Sequence, residues 1–246
     1  MDLHFLAAVA GAYVLAGFVK GVIGMGLPTV AIGLLGLMVT PAQAAAIMVV
    51  PSFATNAWQG LAGGELRALL RLLWPLLVGV CIGIAVGAVI LPHGNGARAT
   101  VWLGIVLAAY AALGLFKVEF AVPQRGRGWT GFVAGIVAGI ISVATGVFTI
   151  PGVPYIQALR LGRDALVQGL GLYFTVATAA LAGALYYLGE FNLSLAWPAV
   201  VALAAAFLGM PLGQFLRGKL APETFRLWFF IALLLLGARL ALRALI

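Results

Sequence analysis

The chain has 246 residues, of which 64% are hydrophobic and 8% are charged, and its formal net charge is +8. A soluble globular domain is about 45–50% apolar and about 25% charged, so this composition excludes a soluble enzyme, a disordered chain and a nucleic-acid-binding protein. Its long continuous apolar runs also differ from the short alternating segments of a transmembrane β-barrel. We therefore predict an all-α, polytopic membrane helical bundle with a lipid bilayer as its solvent.

The first half of the chain predicts five helical segments, separated by charged residues or by glycine and proline. Gly24, Gly26 and Pro28 interrupt the uncharged stretch that follows Lys20, and Thr40–Pro41 has the chemistry of a helix start. The segments are predicted at about residues 5–23, 28–39, 42–62, 72–91 and 98–116, with Arg67 and Arg71 in the connection before the fourth.

The second half repeats this order after a polar loop at residues 117–128. Its uncharged stretch, residues 129–159, is broken at Gly146 and Pro151. Further segments are predicted at about residues 164–188, 194–216 and 222–245. Residues 17–21 resemble residues 131–135, and glycines four residues apart let helices approach closely. We predict an internal duplication, with one transmembrane repeat at residues 1–120 and the second at residues 121–246.

The 14 lysines and arginines distinguish two topologies. If the short segment of each half does not cross the membrane, the eight spans that remain divide these cations evenly between the two sides. If each short segment carries the chain across, ten crossings place Arg98, Arg239 and Arg243 on one side of the membrane and the other eleven cations on the opposite side. Lys and Arg are in excess on the cytoplasmic side. We therefore predict two inverted five-segment repeats in a bacterial inner membrane, with both termini periplasmic.

No pattern in the sequence indicates catalysis or a metal site, so we expect no enzyme activity, cofactor or metal. His4 and His93 lie near a terminus and in a short loop, and the acidic residues fall at segment ends, where they do not form a mid-membrane relay. Asp164 follows the second break directly. It is interpreted either as a helix N-cap paired with Arg163 or as a proton-handling group.

Three charged residues are candidates for anion attraction or coupling: Lys20, Arg163 and Asp164. Lys20 lies within one helical turn of the first break, where its ammonium could draw an anion in. The alternative for Lys20 is a structural role, in which the side chain extends to the cytoplasmic interface.

The two breaks predict the substrate site. Irregular backbone at membrane depth is tolerated only beside protein or a water-filled cavity, paired interruptions are typical of transport sites, and helix N-termini bind anions. The alternatives are tight hairpins at the breaks and interhelical hydrogen bonds for the neighbouring polar side chains. The predicted substrate-binding residues are Gly24, Gly26, Pro28, Thr29, Ser52, Asn56, Gln59, Thr145, Gly146, Thr149, Gln168 and Thr178.

The glycine- and proline-rich motifs of the first half resemble those of the sulfite exporter TauE/SafE family. They are residues 17–28 (GFVKGVIGMGLP), 40–46 (TPAQAAA) and 51–56 (PSFATN). The resemblance implies a multi-pass membrane protein with two similar halves that moves sulfite, thiosulfate or organosulfonates. Our hypothesis is a secondary transporter of these anions with alternating access between the repeats. The alternatives are a transporter of another small anion, such as a carboxylate or a metal-linked anion, and a non-transporting membrane assembly component.

Overall fold

A computed structural model describes residues 3–91, 96–118, 120–219 and 221–243; the predicted loop residue His93 lies outside these ranges. In the described ranges every regular element is helical, as predicted, with two 3-10 turns at Gln124–Gly126 and Leu193–Leu195. The ten α-helices are α1 (Leu3–Ile23), α2 (Leu27–Leu35), α3 (Pro41–Leu61), α4 (Leu66–Ile90), α5 (Gly96–Leu115), α6 (Arg127–Thr145), α7 (Gly152–Ala158), α8 (Arg163–Tyr187), α9 (Ala196–Arg217) and α10 (Pro222–Leu242).

Seven helices in the described part of the chain are long and apolar enough to cross a membrane: α1, α4, α5, α6, α8, α9 and α10. The protein is therefore a multi-pass membrane protein. By contrast, α2 has nine residues and α7 has seven. At 1.5 Å per residue they rise about 14 Å and about 11 Å, whereas the hydrocarbon core is about 30 Å thick. Neither short helix can cross the membrane without the irregular residues beside it.

Two predicted helix bounds are wrong: the start of α4 by more than one turn, and the end of α2 by about one turn. α4 begins at Leu66 instead of residue 72, so that Arg67 and Arg71 lie in its first two turns. Long basic side chains can extend away from an apolar helix while its backbone stays regular, so these charges do not end the helix. α2 ends at Leu35 instead of residue 39, because tight turns through Gly36 follow it.

The helices form two compact units, which are described separately. Unit 1 consists of Met1–Pro51, Asn95–Val118 and Glu190–Ile246, and unit 2 consists of Ser52–Gly94 and Glu119–Gly189. The boundary falls within α3, which contributes its first half to unit 1 and its second half to unit 2. Each unit thus combines helices from both halves of the sequence, whereas the predicted repeats follow chain order. The duplication stays a prediction.

In unit 1, glycines bring the backbones of α1 and α9 into direct contact. A Cβ atom added to Gly17 would meet the carbonyl oxygen of Ala206, and one added to Gly213 would meet that of Phe18. Only a residue without a side chain fits at such a contact. The predicted role of the glycines spaced by four residues is therefore confirmed in α1.

Unit 2 uses the same arrangement between α4 and α6. A Cβ atom on Gly83 would meet the carbonyl oxygen of Ile136, and one on Gly139 would meet that of Val80. Gly131 instead faces the ring of Tyr155 in α7. In α6, the glycines that contact a neighbouring backbone, as Gly17 and Gly21 do in α1, are Gly135 and Gly139. They lie one turn later than residues 131–135, the segment whose sequence resembles residues 17–21.

Helix directions inside unit 1 bear on the number of crossings. Gly104, near the middle of α5, lies against Ala241 near the end of α10, and Gly114, near the end of α5, lies against Phe230 near the middle of α10. The two helices are therefore antiparallel. If α2 and α7 did not carry the chain across the membrane, α5 and α10 would have to be parallel.

Unit 2 gives the same result independently. Ser52 and Gly60 of α3 lie beside Thr178 and Gly171 of α8, respectively, so these two helices also run antiparallel. Eight spans would make this pair parallel, and ten crossings make it antiparallel. The directions of both pairs favour the ten-crossing topology. The side of the membrane on which each terminus lies stays a prediction.

Candidate functional site

The first break, between α1 and α2 in unit 1, lies at the predicted residues. Gly24 and Gly26 have φ angles of 79° and 99°, which L side chains rarely adopt. The Gly24 N–H donates to the carbonyl of Lys20 at 2.8 Å, and Gly26 is the N-cap of α2, with Pro28 in the first turn. Gly24, Gly26, Pro28 and Thr29 are all buried. The break is therefore a tight turn in the interior of unit 1.

A tyrosine that the sequence interpretation did not single out supports this break. The Tyr110 hydroxyl of α5 donates to Sδ of Met25 at 3.9 Å. The ring of Tyr110 makes an edge contact with Phe230, with centroids 5.5 Å apart. A tyrosine in the middle of an apolar segment needs a hydrogen-bond partner when it is buried, and that was the available signal.

The second break, between α6 and α7 in unit 2, is longer. Gly146 ends α6 with a φ of 75°, and residues 147–151 precede α7, with a cis peptide bond before Pro151. The Thr145 hydroxyl donates to the carbonyl of Ile141 at 2.8 Å and accepts from the N–H of Val147 at 3.1 Å. Thr145 therefore caps the end of its own helix.

Aromatic side chains surround the second break. The Tyr173 hydroxyl of α8 donates to the carbonyl oxygen of Phe148 at 2.6 Å. The rings of Phe148, Tyr173 and Phe174 pack with centroids 5.5–6.4 Å apart, and none of the three is more than 2% exposed. Thr149 is also buried, at 3% exposure. The irregular backbone of residues 146–149 is thus buried in protein, as membrane depth requires.

Three predicted residues of unit 2 form one polar network. The Asn56 side-chain amide donates to Oγ of Ser52 at 3.0 Å, and that oxygen lies 3.1 Å from Oγ1 of Thr178. None of the three is more than 1% exposed. Ser52 and Asn56 therefore share a face of α3 that is buried against α8, where it presents neutral amide and hydroxyl groups.

Gln59 and Gln168 also link α3 and α8, each donating to a backbone carbonyl of the other helix. Nε2 of Gln59 donates to the carbonyl of Val167 at 2.6 Å, and Nε2 of Gln168 donates to that of Gly60 at 3.0 Å. Oε1 of Gln168 accepts from the N–H of Glu65 at 3.1 Å. For these two residues, and for Ser52 with Thr178, the structure has the hydrogen bonds between helices that the alternative interpretation proposed.

The charged candidates differ sharply in burial. Lys20 is only 2% exposed, so its side chain does not extend to an interface, contrary to the structural alternative. Arg163 and Asp164 are exposed in the first turn of α8. The interpretation of Asp164 as an N-cap is wrong, because α8 begins one residue earlier and its N-cap is Gly162. No group of three or more His, Cys, Asp or Glu residues in the described ranges could hold a metal ion.

A cavity of about 420 Å³ with a mixed polar and apolar lining opens at one end of unit 1 and was not predicted. Arg243 donates from Nη1 to the carbonyls of Gly36 and Leu37 at 3.4 and 3.2 Å, and Thr40 and Gln43 cap the start of α3 reciprocally. These bonds satisfy helix ends. The cavity is lined by Met38, Val39, Thr40, Gln43, Gly96, Ala97, Thr100 and Arg243.

The comparison with protein families extends over almost the whole chain. The family model described as Sulfite exporter TauE/SafE matches residues 9–240, which include both breaks and the Ser52–Asn56–Thr178 network. The chain matched none of the curated proteins and none of the solved structures with which it was compared.

Proposed function

The chain belongs to the sulfite exporter TauE/SafE family of membrane transporters for sulfite-type anions, and from this premise we propose that it is a secondary transporter of sulfite, thiosulfate or organosulfonates. The observation that carries the proposal is the family match over residues 9–240. We place the protein in a bacterial inner membrane, with both termini periplasmic.

The proposed site in unit 2 holds the anion by neutral hydrogen-bond donors, namely the side chains of Ser52, Asn56 and Thr178, with Thr149 in the second break. In unit 1, considered by itself, the start of α2 with Gly26 as its N-cap is a second position suited to an anion, because helix N-termini carry a partial positive charge. The buried hydroxyl and amide groups support this assignment, since an oxyanion accepts hydrogen bonds from such donors. Gln59 and Gln168 hold α3 against α8 beside the network.

Alternating access between two inverted repeats is the proposed transport mechanism. Inversion requires that equivalent helices of the two halves run in opposite directions. The two equivalent pairs that pack inside a unit, α5 with α10 and α3 with α8, are both antiparallel. Irregular residues beside two short helices are also typical of transporters in which broken segments line the substrate path.

Flux measurements on the purified full chain in liposomes test the proposal. We expect saturable uptake of radiolabelled sulfite, reduced tenfold or more in Asn56→Ala, because one hydrogen bond to a charged ligand contributes about 1.5–3 kcal/mol. Asn192→Ala, which removes the same side chain from an exposed loop, is the matched control.

The remaining outcomes separate the alternatives. Unchanged flux in both Asn56→Ala and Gln59→Ala would contradict the assigned site. Counterflow with carboxylates but with no sulfur-containing anion would identify a different cargo. Absence of flux with every anion in the panel would favour a non-transporting assembly component.

A further inference from the structure

The cavity at the end of unit 1 is lined by hydrogen-bond donors that the fold does not use. It lies where the connection from α2 to α3, the first turn of α5 and the end of α10 meet. The Thr40 N–H donates to Oε1 of Gln43 at 3.2 Å, and the Gln43 N–H donates to Oγ1 of Thr40 at 3.3 Å. This reciprocal capping uses the acceptor oxygens of both side chains. It leaves the Gln43 amide N–H groups and the Thr40 hydroxyl proton for a ligand.

Arg243 brings a positive charge to the same cavity. A guanidinium has five N–H donors. Nη1 uses its two on the carbonyls of Gly36 and Leu37, so the donors of Nε and Nη2 remain. The described lining contains no Asp or Glu. Glu223, the acidic residue of α10, lies in the first turn of that helix, about 30 Å from Arg243 along the axis. The charge of Arg243 is therefore available to a ligand in the cavity.

Acceptors around the cavity are already engaged, which indicates the sign of the ligand charge. The carbonyls of Gly36 and Leu37 accept from Arg243, and the carbonyl of Gly96 accepts from the Thr100 hydroxyl at 2.8 Å. At the start of α5, the N–H groups of Gly96 and Ala97 have no acceptor within the helix. A surplus of donors beside one guanidinium favours an anion over a cation.

The size of the cavity and the apolar part of its wall indicate a ligand larger than an inorganic ion. The volume is about 420 Å³, whereas a water molecule occupies about 30 Å³ in the liquid, so a small oxyanion would fill only part of the space. Met38, Val39 and Ala97 contribute apolar surface, and the flexible side chain of Met38 is 52% exposed. The lining therefore suits an oxyanion group joined to an apolar chain.

We propose that this cavity is a binding site for a singly charged oxyanion group carried on an apolar chain. Arg243 and Gln43 bind the oxyanion, and Met38 and Val39 contact the chain. The head group of an anionic phospholipid and a free alkanesulfonate share this chemistry. The site uses no residue of the Ser52–Asn56–Thr178 network, so it does not depend on the proposed function.

Calorimetric titration of the purified full chain in phosphatidylcholine nanodiscs with butanesulfonate tests the site for a free anion. We expect butanesulfonate to bind about tenfold more tightly than methanesulfonate, because its longer chain leaves water. Butyltrimethylammonium, a cation with the same chain, should not bind detectably. Asn56→Ala, which alters the proposed transport site, should leave the affinity of this cavity unchanged.

Gln43→Glu is the sharpest variant, because it keeps the acceptor that caps α3 and replaces the amide donor by a negative charge. Glutamate at this position completes a favourable capping box, so the protein should melt at or above the wild-type temperature. Butanesulfonate should bind about tenfold or more weakly. Arg243→Gln should weaken binding to a similar extent. The matched control is Arg239→Gln, one turn earlier on α10 at an exposed residue outside the lining, which should bind like the wild type.

Native mass spectrometry of the protein purified from membranes that contain phosphatidylglycerol tests the lipid. Phosphatidylglycerol retained by the wild type and by Arg239→Gln, but lost from Gln43→Glu and Arg243→Gln, would identify a lipid head group as the occupant. Binding of butanesulfonate alone would identify a free anion. The site is overturned if the wild type binds neither ligand, or if Gln43→Glu and Arg243→Gln bind like the wild type. Absence of anion flux from a protein that binds at Arg243 would contradict the proposed function and leave this site in place.

Discussion

Tyrosine hydroxyls inside the two units show how one polar atom can stabilise irregular backbone away from water. Tyr110 in unit 1 and Tyr173 in unit 2 each reach from a neighbouring helix to a residue of a break. The backbone carbonyl of Phe148 would otherwise be buried without a donor in a region with no water to replace it. Such residues hold the two breaks in place from a neighbouring helix.

Replacing Tyr173 by phenylalanine isolates this contribution. Tyr173→Phe leaves the Phe148 carbonyl without its 2.6 Å hydrogen bond, so the free energy of unfolding should fall by about 1–2 kcal/mol. Thermal melting in detergent measures the change. The control is Tyr186→Phe, at a residue that is 79% exposed, which should melt like the wild type. A Tyr173→Phe protein as stable as that control would show that the bond does not hold the break.

At the residue scale, the sequence predicts what depends on local spacing. Ser52 and Asn56 are four residues apart, so their common face could be inferred without a structure. The partner across the helix interface, Thr178, lies 126 residues from Ser52. Choosing among the many polar side chains at that separation requires the tertiary packing. The same limit applies to the bonds that Gln59 and Gln168 donate to the opposite helix.

At the element scale, the glycines on the contacting faces of α1, α9, α4 and α6 let the helices pack tightly, as interlocking side chains do in a soluble core. The α1–α9 and α4–α6 contacts bring backbone against backbone, which increases dispersion contacts where lipid removes the hydrophobic driving force. Glycine weakens an isolated helix by about 1 kcal/mol relative to alanine. At these positions, the close contact offsets that cost.

An alanine substitution in the α4–α6 contact should therefore destabilise unit 2. In Gly83→Ala, the new methyl group would collide with the carbonyl oxygen of Ile136, and we expect a loss of about 1–3 kcal/mol. Gly183→Ala in α8 is the matched control, because no atom lies within 4 Å of its added Cβ. Melting temperatures that fall equally in both variants would indicate a general effect of glycine replacement.

Helix ends were predictable where a residue such as glycine, which favours a break, follows the helix. Gly24 and Gly146 adopt left-handed φ angles at the ends of α1 and α6, as glycine near a break indicates. The start of α4 was missed because Arg67 and Arg71 were interpreted as a connection. Charged residues in a membrane protein mark the membrane–water interface, and a helix can continue through that interface as well as end there.

At the scale of the whole molecule, the predicted ten-crossing topology with its cytoplasmic excess of Lys and Arg places both termini in the periplasm. A C-terminal fusion to alkaline phosphatase, which is active only outside the cytoplasm, should be active, and a C-terminal green fluorescent protein should be dark. The same reporters inserted after Gln124, in the predicted cytoplasmic loop, should give the opposite result. A C-terminal reporter that works only in the cytoplasm would contradict the predicted orientation.

Membrane class, all-helical fold and family follow from composition and from motifs in the first half, because these are properties of contiguous residues. The two compact units do not. Unit 1 gathers three segments separated by residues 52–94 and 119–189, and unit 2 gathers two segments separated by residues 95–118. The boundary between the units divides α3 at Pro51 and Ser52. Only contacts between distant residues define such units, and a single sequence carries no direct signal of them.

The contact between α1 and α9 sets an order of events during synthesis. Gly17 packs against Ala206, about 190 residues later in the chain. While the ribosome makes the intervening segments, the narrow glycine face of α1 has no final partner and must be covered by lipid or by a chaperone. Insertion of α9 near the end of translation is therefore the step that completes unit 1. A ribosome that stalls before Ala206 leaves the first helix of the protein without its principal neighbour.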